Sequence, residues 1–359
     1  MRIGRPDLEQ AFAQFVEQGH GVVLGAPGVG KSYLLRAFAE QLLASPTTAC
    51  IFLPVDRMSV ETDADLRAEL GVLGDPISHM AGEASGRRGY LVIDALDAVR
   101  GDRPRAYVIG LVRRVMSNLS NSWTVVLSMR AYDALHSAEL EELFPPSAHA
   151  APPDRYEMPD AVCRHFFVPP LNDLEIAAAA TGLPWLGPLW RTAQSDLRRL
   201  LRVQFHLWLL QRLVDRGSAL EDLTPVHSEV ALLDLFWRQR VQTGPLAPDK
   251  RHLVSRVAQS MVERRTLWAR TGAVYTPGAN DAWRELLSSE VLEHVDNVTT
   301  RVSFAHNLLF DYAVSAEVLD DTTASVADFV RAEPDRALFL RPTLDFFFAR
   351  LWFRRPGLF

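Results

Sequence analysis

Residues 25–32 combine three glycines with a lysine and a serine in an order that suits a bound phosphate group. They read Gly-Ala-Pro-Gly-Val-Gly-Lys-Ser, which is the pattern G-x-x-x-x-G-K-[ST] of phosphate-binding loops. Gly25 and Gly30 stand where a side chain would block the phosphate or where φ must be positive. Lys31 supplies a cation to the β- and γ-phosphates of a nucleotide, and the Ser32 hydroxyl is a ligand for Mg²⁺.

The sequence on both sides of this loop favours the same interpretation. Residues 21–24 are an apolar run typical of a buried strand, and residues 32–43 carry apolar side chains at helical spacing. Backbone N–H groups of the loop and of the following helix can then point at an anion. The alternative is a plain glycine-rich turn ahead of a helix, and the complete motif with its flanks favours the phosphate loop. We predict that the nucleotide-binding residues are Gly25, Ala26, Pro27, Gly28, Val29, Gly30, Lys31, Ser32 and Tyr33.

Two acids follow a second apolar run, Tyr-Leu-Val-Ile, at residues 90–93. Asp94 ends this predicted strand and Asp97 follows three residues later. A P-loop enzyme needs one carboxylate for the Mg²⁺ shell and another acid that orients or activates water. In isolation, an acid at a strand end is often a solvated turn residue. Together with the phosphate loop, the pattern predicts Asp94 as a metal-binding residue and Asp97 as a catalytic one.

Arg130 ends another apolar run, residues 123–129. In a doubly wound sheet the carboxyl ends of the strands converge on the ligand. Arg130 is therefore a candidate sensor of the γ-phosphate charge, and the alternative is an exposed arginine after a strand.

His306 lies within residues 302–316, whose apolar periodicity predicts a helix. Leu309, Tyr312 and Ala316 would face inward on that helix. By periodicity alone, His306 is a half-buried histidine without a ligand.

Strands and helices alternate in the first part of the sequence, which predicts a mostly parallel sheet covered on both faces. From residue 172 onward the patterns are almost entirely helical, until two short β-runs at 290–295 and 300–304 flank an Asp-Asn turn. We predict an α/β P-loop NTPase core at 1–170, a helical lid at 171–224 and a winged-helix domain at 225–320. Residues 321–359 would begin a further C-terminal helical region.

Together these motifs resemble the STAND class of AAA-like NTPases, and especially its NACHT-type members. The run Asp94-Ala-Leu-Asp97 looks like the acid pair of the family, and Ser128-Met-Arg130 is similar to its sensor arginine after a serine or threonine. The segment that begins Phe-Ala-His306 resembles a winged-helix motif whose histidine touches the β-phosphate of bound ADP. The resemblance therefore implies that His306 binds the nucleotide.

The motifs and the resemblance predict an ATP-dependent molecular switch of STAND/NACHT type that uses Mg²⁺ and hydrolyses ATP slowly. It would be the nucleotide-sensing module of a bacterial signalling or defence protein, and the resemblance implies self-oligomerisation on activation. Ala98 stands where many members of the family carry a further acid, and Gln204 replaces a proline near the adenine. One alternative is an AAA-type DNA-handling ATPase whose winged helix binds duplex. The other is a nucleotide-binding scaffold without significant turnover.

Composition limits the partners and the compartment. The 359 residues carry 38 basic and 44 acidic side chains, so the net charge of −6 does not favour general nucleic-acid binding. Residues 227–242, a candidate DNA-recognition helix, contain acids as well as arginines. Two distant cysteines predict no disulfide framework, and neither a signal peptide nor a transmembrane run is evident, so we expect a cytoplasmic protein without a membrane partner.

Residues 339–353 carry an unusual number of large apolar side chains. We expect this segment to leave an exposed apolar patch, to be covered by a C-terminal sensor region of a longer polypeptide or by a partner protein. The alternative is that the helix folds back and is fully covered. The side chains that decide between the two are Phe346, Phe347, Phe348, Trp352 and Phe353.

Overall fold

The structure is a computed structural model that describes residues 3–58, 60–99, 102–135, 137–146, 152–295, 299–319, 323–333 and 339–354. The chain divides into two compact units, Met1–Ile176 and Ala177–Phe359. The predicted finer division into a lid and a winged-helix domain stays a prediction. In the described residues, no helix is both long enough and apolar enough to cross a membrane.

The first unit is built on a parallel sheet with helices on both faces. In its described residues the five strands have the order β2-β3-β4-β1-β5, and every neighbouring pair is parallel. The predicted α/β P-loop core with a mostly parallel sheet is confirmed. The strands are β1 (Gly21–Gly25), β2 (Thr48–Pro54), β3 (Arg88–Asp94), β4 (Trp123–Arg130) and β5 (His165–Phe167).

The apolar runs of the central strands form two separate cores. Val23 of β1 packs among α1 and α2 residues such as Phe12 and Leu35, whereas its neighbour Leu24 belongs to the cluster on the other face with Val112 of α5. Successive strand residues point to opposite faces, so a strand that is covered on both sides is apolar throughout. The helices of this unit are α1 (Pro6–Glu17), α2 (Lys31–Leu43), α3 (Asp63–Leu70), α4 (Pro76–Glu83), α5 (Asp102–Asn118), α6 (Ala131–Leu135) and α7 (Ala138–Leu143), and α8 (Asp173–Gly182) begins within it.

The second unit is mostly helical and contains a small antiparallel sheet. The strands β6 (Ala269–Arg270), β7 (Leu292–His294) and β8 (Arg301–Phe304) have the order β6-β8-β7. The helices are α9 (Leu186–Thr192), α10 (Ser195–Leu201), α11 (Gln204–Asp215), α12 (Leu220–Leu223), α13 (Glu229–Trp237), α14 (Ala247–Arg264), α15 (Thr271–Val274), α16 (Asn280–Ser288), α17 (Asn307–Ala313), α18 (Thr323–Ala332) and α19 (Arg341–Arg354). The predicted Asp-Asn turn of the hairpin lies outside the described residues.

Two predicted helices differ from those in the structure. The prediction that residues 302–316 form one helix is wrong, because Phe304 pairs with Leu292 in the hairpin and the helix begins only at Asn307. The helical pattern that runs without interruption through residues 195–215 is divided into α10 and α11 in the structure. Val203 between them has an extended backbone with φ −102° and ψ 123°, a conformation that does not continue a helix.

The C-terminal helix α19 is covered on one side only. Thr343 donates a hydrogen bond to the buried Asp311 of α17 at 3.1 Å, and Phe346 and Phe347 are buried. The remaining three aromatic side chains are exposed by 42–57%, which agrees with the predicted apolar patch for part of the segment: Phe348, Trp352 and Phe353.

Candidate functional site

The loop between β1 and α2 has backbone conformations that require glycine. Gly28 and Gly30 have φ values of +74° and +105°, and Gly30 is the N-cap of α2. Side chains rarely adopt such φ values, whereas glycine does so at little cost. A Cβ on Gly25 would lie 2.9 Å from the carbonyl oxygen of Val168 and 3.0 Å from a methyl of Val29. The three glycines therefore shape a compact loop at the N-terminus of α2, where free N–H groups attract anions.

Lys31 lies inside this loop. Its Nζ donates to the carbonyl oxygen of Gly25 at 2.8 Å and to that of Ala26 at 3.1 Å. Burial lowers the pKa of Lys31, and Arg130 lowers it further, while Asp97 and Asp94 act in the opposite direction. The two predicted acids and the predicted sensor arginine thus lie close enough to Lys31 to influence its charge.

Asp94 is held at the carboxyl end of β3 by a serine from the neighbouring strand. Its side chain is almost completely buried, and Oδ1 accepts a hydrogen bond of 2.7 Å from the hydroxyl of Ser128 in β4. The same hydroxyl accepts the backbone N–H of Ala95 at 2.8 Å. We did not predict Ser128 as a site residue. The sequence signals for it are a hydroxyl side chain near the end of a mostly apolar strand and its place in the segment Ser128-Met-Arg130, which resembles the sensor motif of the family.

Asp97 is bound by Arg130. The carboxylate accepts the backbone N–H of Arg130 at 3.1 Å and its Nε–H at 2.9 Å. The two side chains are 7% and 19% exposed, so water screens this ion pair only in part. Asp97 thus lies at the site, although its carboxylate is engaged by the arginine.

The donor set at this edge of the sheet fits Mg²⁺. Ser32 is exposed in the first turn of α2, next to Lys31, and Asp94 supplies a carboxylate. Mg²⁺ is usually bound by one or two protein oxygens together with phosphates and waters. In the described part of the chain, no three His, Cys, Asp or Glu side chains come together as a metal site.

His306 lies in the second unit, as the N-cap of α17. Its Nδ1 accepts the backbone N–H of Leu308 at 3.1 Å, and its ring stacks on Phe205 with centroids 3.9 Å apart. The remaining ring nitrogen, Nε2, then carries the proton in the neutral form and is a donor. His306 is half-buried, as its apolar periodicity predicted. Nucleotide binding by His306 stays a prediction.

The candidate DNA-recognition segment 227–242 contains two arginines, of which Arg238 is exposed and Arg240 is buried. Arg240 is 4% exposed and donates to the carbonyl oxygen of Arg212. Burial lowers the pKa of Arg240 to about 10, with further lowering by Arg216 and Arg212. The acid Asp234 of α13 accepts a hydrogen bond from the hydroxyl of Tyr312. This segment is therefore largely internal to its unit.

No family model matches the sequence, and no curated protein matches it. The chain is similar to Cdc6p from Pyrobaculum aerophilum, with 12% identity and a TM-score of 0.43 over 92% of this chain and 95% of that one. A Walker-type ATPase of Pyrococcus abyssi is 11% identical, with a TM-score of 0.39 over 87% and 96%. Drosophila ORC bound to DNA is 13% identical, with a TM-score of 0.29 over 79% and 86%. We base no argument on likenesses this distant.

Proposed function

We propose that this protein binds ATP with Mg²⁺ and hydrolyses it slowly. The observation that carries the proposal is the convergence of four groups at the carboxyl ends of neighbouring strands. Lys31 lies within the glycine loop after β1, Asp94 and Asp97 follow β3, and Arg130 ends β4. Ligands of open α/β sheets bind at this edge of the sheet.

Each residue has a distinct task in this proposal. The loop N–H groups and Lys31 bind the phosphates, whose charge replaces the contacts of the ammonium with the carbonyl oxygens of Gly25 and Ala26. Ser32 and Asp94 would hold Mg²⁺, which neutralises phosphate charge when bound. Asp97 orients or activates the attacking water, and Arg130 stabilises the γ-phosphate charge.

The ion pair between the last two residues supports the proposal of slow turnover. Asp97 can act on water only after the side chain of Arg130 has left its carboxylate. The γ-phosphate competes for the arginine, so ATP itself would supply the trigger. Ala98, where a further acid would be expected by resemblance, is buried in the core and offers no substitute.

For the role of the ATPase, the STAND/NACHT resemblance suggests a signalling switch that oligomerises on activation. In support, the order α14, β6, α15, α16, β7, β8 with the sheet order β6-β8-β7 is the topology we would assign to a winged helix. His306 lies two residues after its last strand and would bind the β-phosphate of ADP in the resting state. A C-terminal sensor region or a partner protein would cover the exposed side of α19.

The second candidate is a DNA-handling AAA-type ATPase. One of the compared proteins is described as bound to DNA. Against it, the candidate recognition segment 227–242 contains acids as well as arginines, and α16, the helix ahead of β7 in the proposed winged helix, contains a single arginine. Arg284 lies 3.4 Å from Asp281 on the same helix. A titration with duplex DNA across salt concentrations separates the two roles, because phosphate contacts give a steep salt dependence.

The test of the ATPase itself combines nucleotide content with phosphate release. We expect the purified protein to retain ADP and to release phosphate from ATP slowly, in a reaction that requires Mg²⁺. Lys31→Ala should abolish both without changing the far-UV circular dichroism, since the hydrogen bonds of the Lys31 side chain go to carbonyl oxygens of the loop itself. Arg36→Ala, on the exposed face of the same helix, is the matched control. Equal ATP affinity in Lys31→Ala and wild type would contradict the P-loop site.

A further inference from the structure

β2 is an edge strand of the parallel sheet. Among the strands of the described residues, it pairs with β3 alone. It reads Thr-Ala-Cys-Ile-Phe-Leu-Pro and carries no charged side chain. Proteins usually protect such an edge with charges, prolines or a covering element, because its unpaired N–H and C=O groups can bind another strand. The protection within β2 is a single proline at its carboxyl end.

The pairing with β3 determines which main-chain groups of β2 face outward. Arg88 donates its N–H to the carbonyl oxygen of Thr47, and Val55 donates its N–H to that of Asp94. The odd-numbered residues from 47 to 55 therefore direct their main-chain groups to β3. Because this direction alternates along a strand, residues 48, 50, 52 and 54 direct theirs to the open side.

Local contacts close both ends of this open edge. Thr48 donates its outward N–H to the carbonyl oxygen of Ser45 at 3.4 Å. Pro54 has no N–H, and its carbonyl oxygen is bound by the turn that follows. Between these ends, the outward N–H and C=O groups of Cys50 and Phe52 make no hydrogen bond within the described residues. The edge therefore suits a short extended segment.

A cavity of about 580 Å³ adjoins the amino-terminal half of the edge, a size typical of ligand sites. Thr48–Ile51 line it along the strand. Leu43, at the end of α2, lines it from one face of the sheet, and Leu70 and Val72, at the end of α3 and after it, line it from the other. The cavity thus spans the edge and has largely apolar walls.

One wall of the cavity is a tryptophan in a fixed position. Trp123 of β4 lies across Gly89 of β3, where a Cβ would come within 2.4 Å of the indole. The indole Nε1 also donates to the carbonyl oxygen of Met80 at 3.0 Å. The glycine thus allows a ring from β4 to reach the cavity beside β2. A preformed wall lowers the entropic cost of binding.

The surroundings of the cavity favour a peptide over a small molecule. Leu43 and Leu73 are 67% and 95% exposed, and Arg87 pairs with Glu83 at 2.8 Å, so an occupant needs apolar groups and no net charge. Phe52 lies beyond the cavity, and a small molecule inside it would leave the main-chain groups of Phe52 unbound. An extended peptide would cover the cavity and the whole open edge.

We propose that the open edge of β2 binds an extended, uncharged peptide segment of a partner protein, which adds a strand to the sheet. Hydrogen bonds to the main chain of Cys50 and Phe52 supply affinity, and a large apolar side chain of the peptide enters the cavity. The inference goes beyond the proposed function and uses none of the residues assigned to ATP or Mg²⁺.

The first test measures binding of the fluorescein-labelled peptide Lys-Thr-Val-Thr-Leu-Thr-Val-Lys to the full chain by fluorescence anisotropy. Threonine and valine favour an extended strand, and the lysines keep the peptide soluble. A control peptide with N-methyl groups on the central threonine and leucine keeps every side chain but loses an N–H on each side of its main chain. We expect saturable binding of the first peptide and none of the second. No binding of the first peptide at millimolar concentration would overturn the proposal.

The matched protein variants are Cys50→Pro and Cys50→Val. Proline removes an outward N–H that the pairing with β3 does not use, and edge strands tolerate it. Valine keeps the N–H and an apolar side chain. Cys50→Pro should weaken peptide binding by about tenfold, because a hydrogen bond is lost and its acceptor stays unpaired. Cys50→Val should bind like wild type, and equal affinities in the two variants would overturn the proposal.

Hydrogen exchange followed by NMR tests the site in wild type, so it decides the question even if Cys50→Pro does not fold. The N–H groups of Cys50 and Phe52 should exchange rapidly in the free protein and become protected when the peptide binds. Protection elsewhere, with these two groups unchanged, would overturn the proposal. So would a wild-type dimer that Cys50→Pro converts into a monomer, which would assign the edge to a second copy. Binding of anilinonaphthalene sulfonate in the cavity without any binding of the peptide would assign the cavity to a small apolar ligand and overturn it as well.

Discussion

Arg130 contacts both carboxylate oxygens of Asp97, through its backbone N–H at 3.1 Å and its Nε at 2.9 Å. The predicted sensor and the predicted catalytic acid are therefore partners in the structure. A contact of this kind couples the two residues, because any group that draws the guanidinium away also releases the carboxylate. Mutations at the acid, at the arginine and at the neighbouring Asp94 should consequently have different effects.

Asp97→Asn should slow hydrolysis by about two orders of magnitude and leave Mg-ATP binding unchanged, because loss of a general base typically costs that much. Asp94→Asn is the comparison, and it should weaken Mg²⁺-dependent binding itself. Single-turnover phosphate release and calorimetry measure the two quantities. Wild-type hydrolysis rates in both variants would show that this acid pair takes no part in the reaction.

The local parts of this site could be predicted from the sequence. The glycine loop around Lys31 lies between an apolar strand pattern and a helical pattern. The strands that end in Asp94 and Arg130 are apolar runs. The polar residues at their ends identify the edge of the sheet at which a ligand would bind. The hydrogen bond between Ser128 and Asp94 could not be predicted. It depends on the pairing of β3 with β4, which brings together residues that are distant in the sequence. Neither chain segment shows that pairing by itself.

The misplaced helix ends have a similar cause. Apolar spacing continues through Leu197, Leu201 and Phe205, so periodicity conceals the break at Val203. Phe304 also fits the helical period, but it is held in β8 by its pairing with Leu292. In both cases a backbone conformation or a distant pairing overrides a period that the side chains satisfy.

Nucleotide binding should take up a proton at Lys31. Burial lowers the pKa of this side chain in the nucleotide-free protein, and a bound triphosphate raises it. At a pH between the pKa values of the free and the nucleotide-bound protein, binding protonates the amine. ATP affinity should therefore fall as the pH rises above the lowered pKa of the free protein. Calorimetry at alkaline pH in two buffers of different ionisation enthalpy measures the uptake.

Lys31→Arg is the control for this measurement, since an arginine stays protonated throughout the accessible pH range. Any proton uptake at this position should disappear in that variant, even if its affinity is lower. Identical uptake in Lys31→Arg and wild type would assign the proton to another group.

Asp63 should make the stability of the first unit sensitive to acid. Hydrogen bonds from Arg114, at 2.6 and 2.9 Å, and from the hydroxyl of Tyr107 lower the pKa of this carboxyl to about 2. Its pKa in the unfolded chain is higher, near the ordinary aspartate value of 3.8. The contribution of Asp63 to stability is therefore complete above the unfolded pKa and is lost as the pH falls toward 2.

Urea unfolding of wild type and Asp63→Asn between neutral and acidic pH measures this contribution. The difference in the free energy of unfolding between the two proteins should shrink as the pH falls. A constant difference would contradict the assignment.

His306 has two structural functions, as the N-cap of α17 and as the ring stacked on Phe205, and substitutions can separate them. His306→Ala removes both the N-cap of α17 and the ring stacked on Phe205. His306→Asn is the matched variant, because asparagine is a good N-cap and has no ring.

If His306 binds the β-phosphate as proposed, both variants should lose ADP affinity by about tenfold or more, since a hydrogen bond to a charged group contributes roughly 1.5–3 kcal/mol. His306→Ala alone should lose a further ~1 kcal/mol of stability through the missing cap. Calorimetry with ADP and urea unfolding measure the two effects. Unchanged ADP affinity in both variants, with reduced stability in His306→Ala, would identify His306 as a structural residue of its own unit and remove it from the nucleotide site.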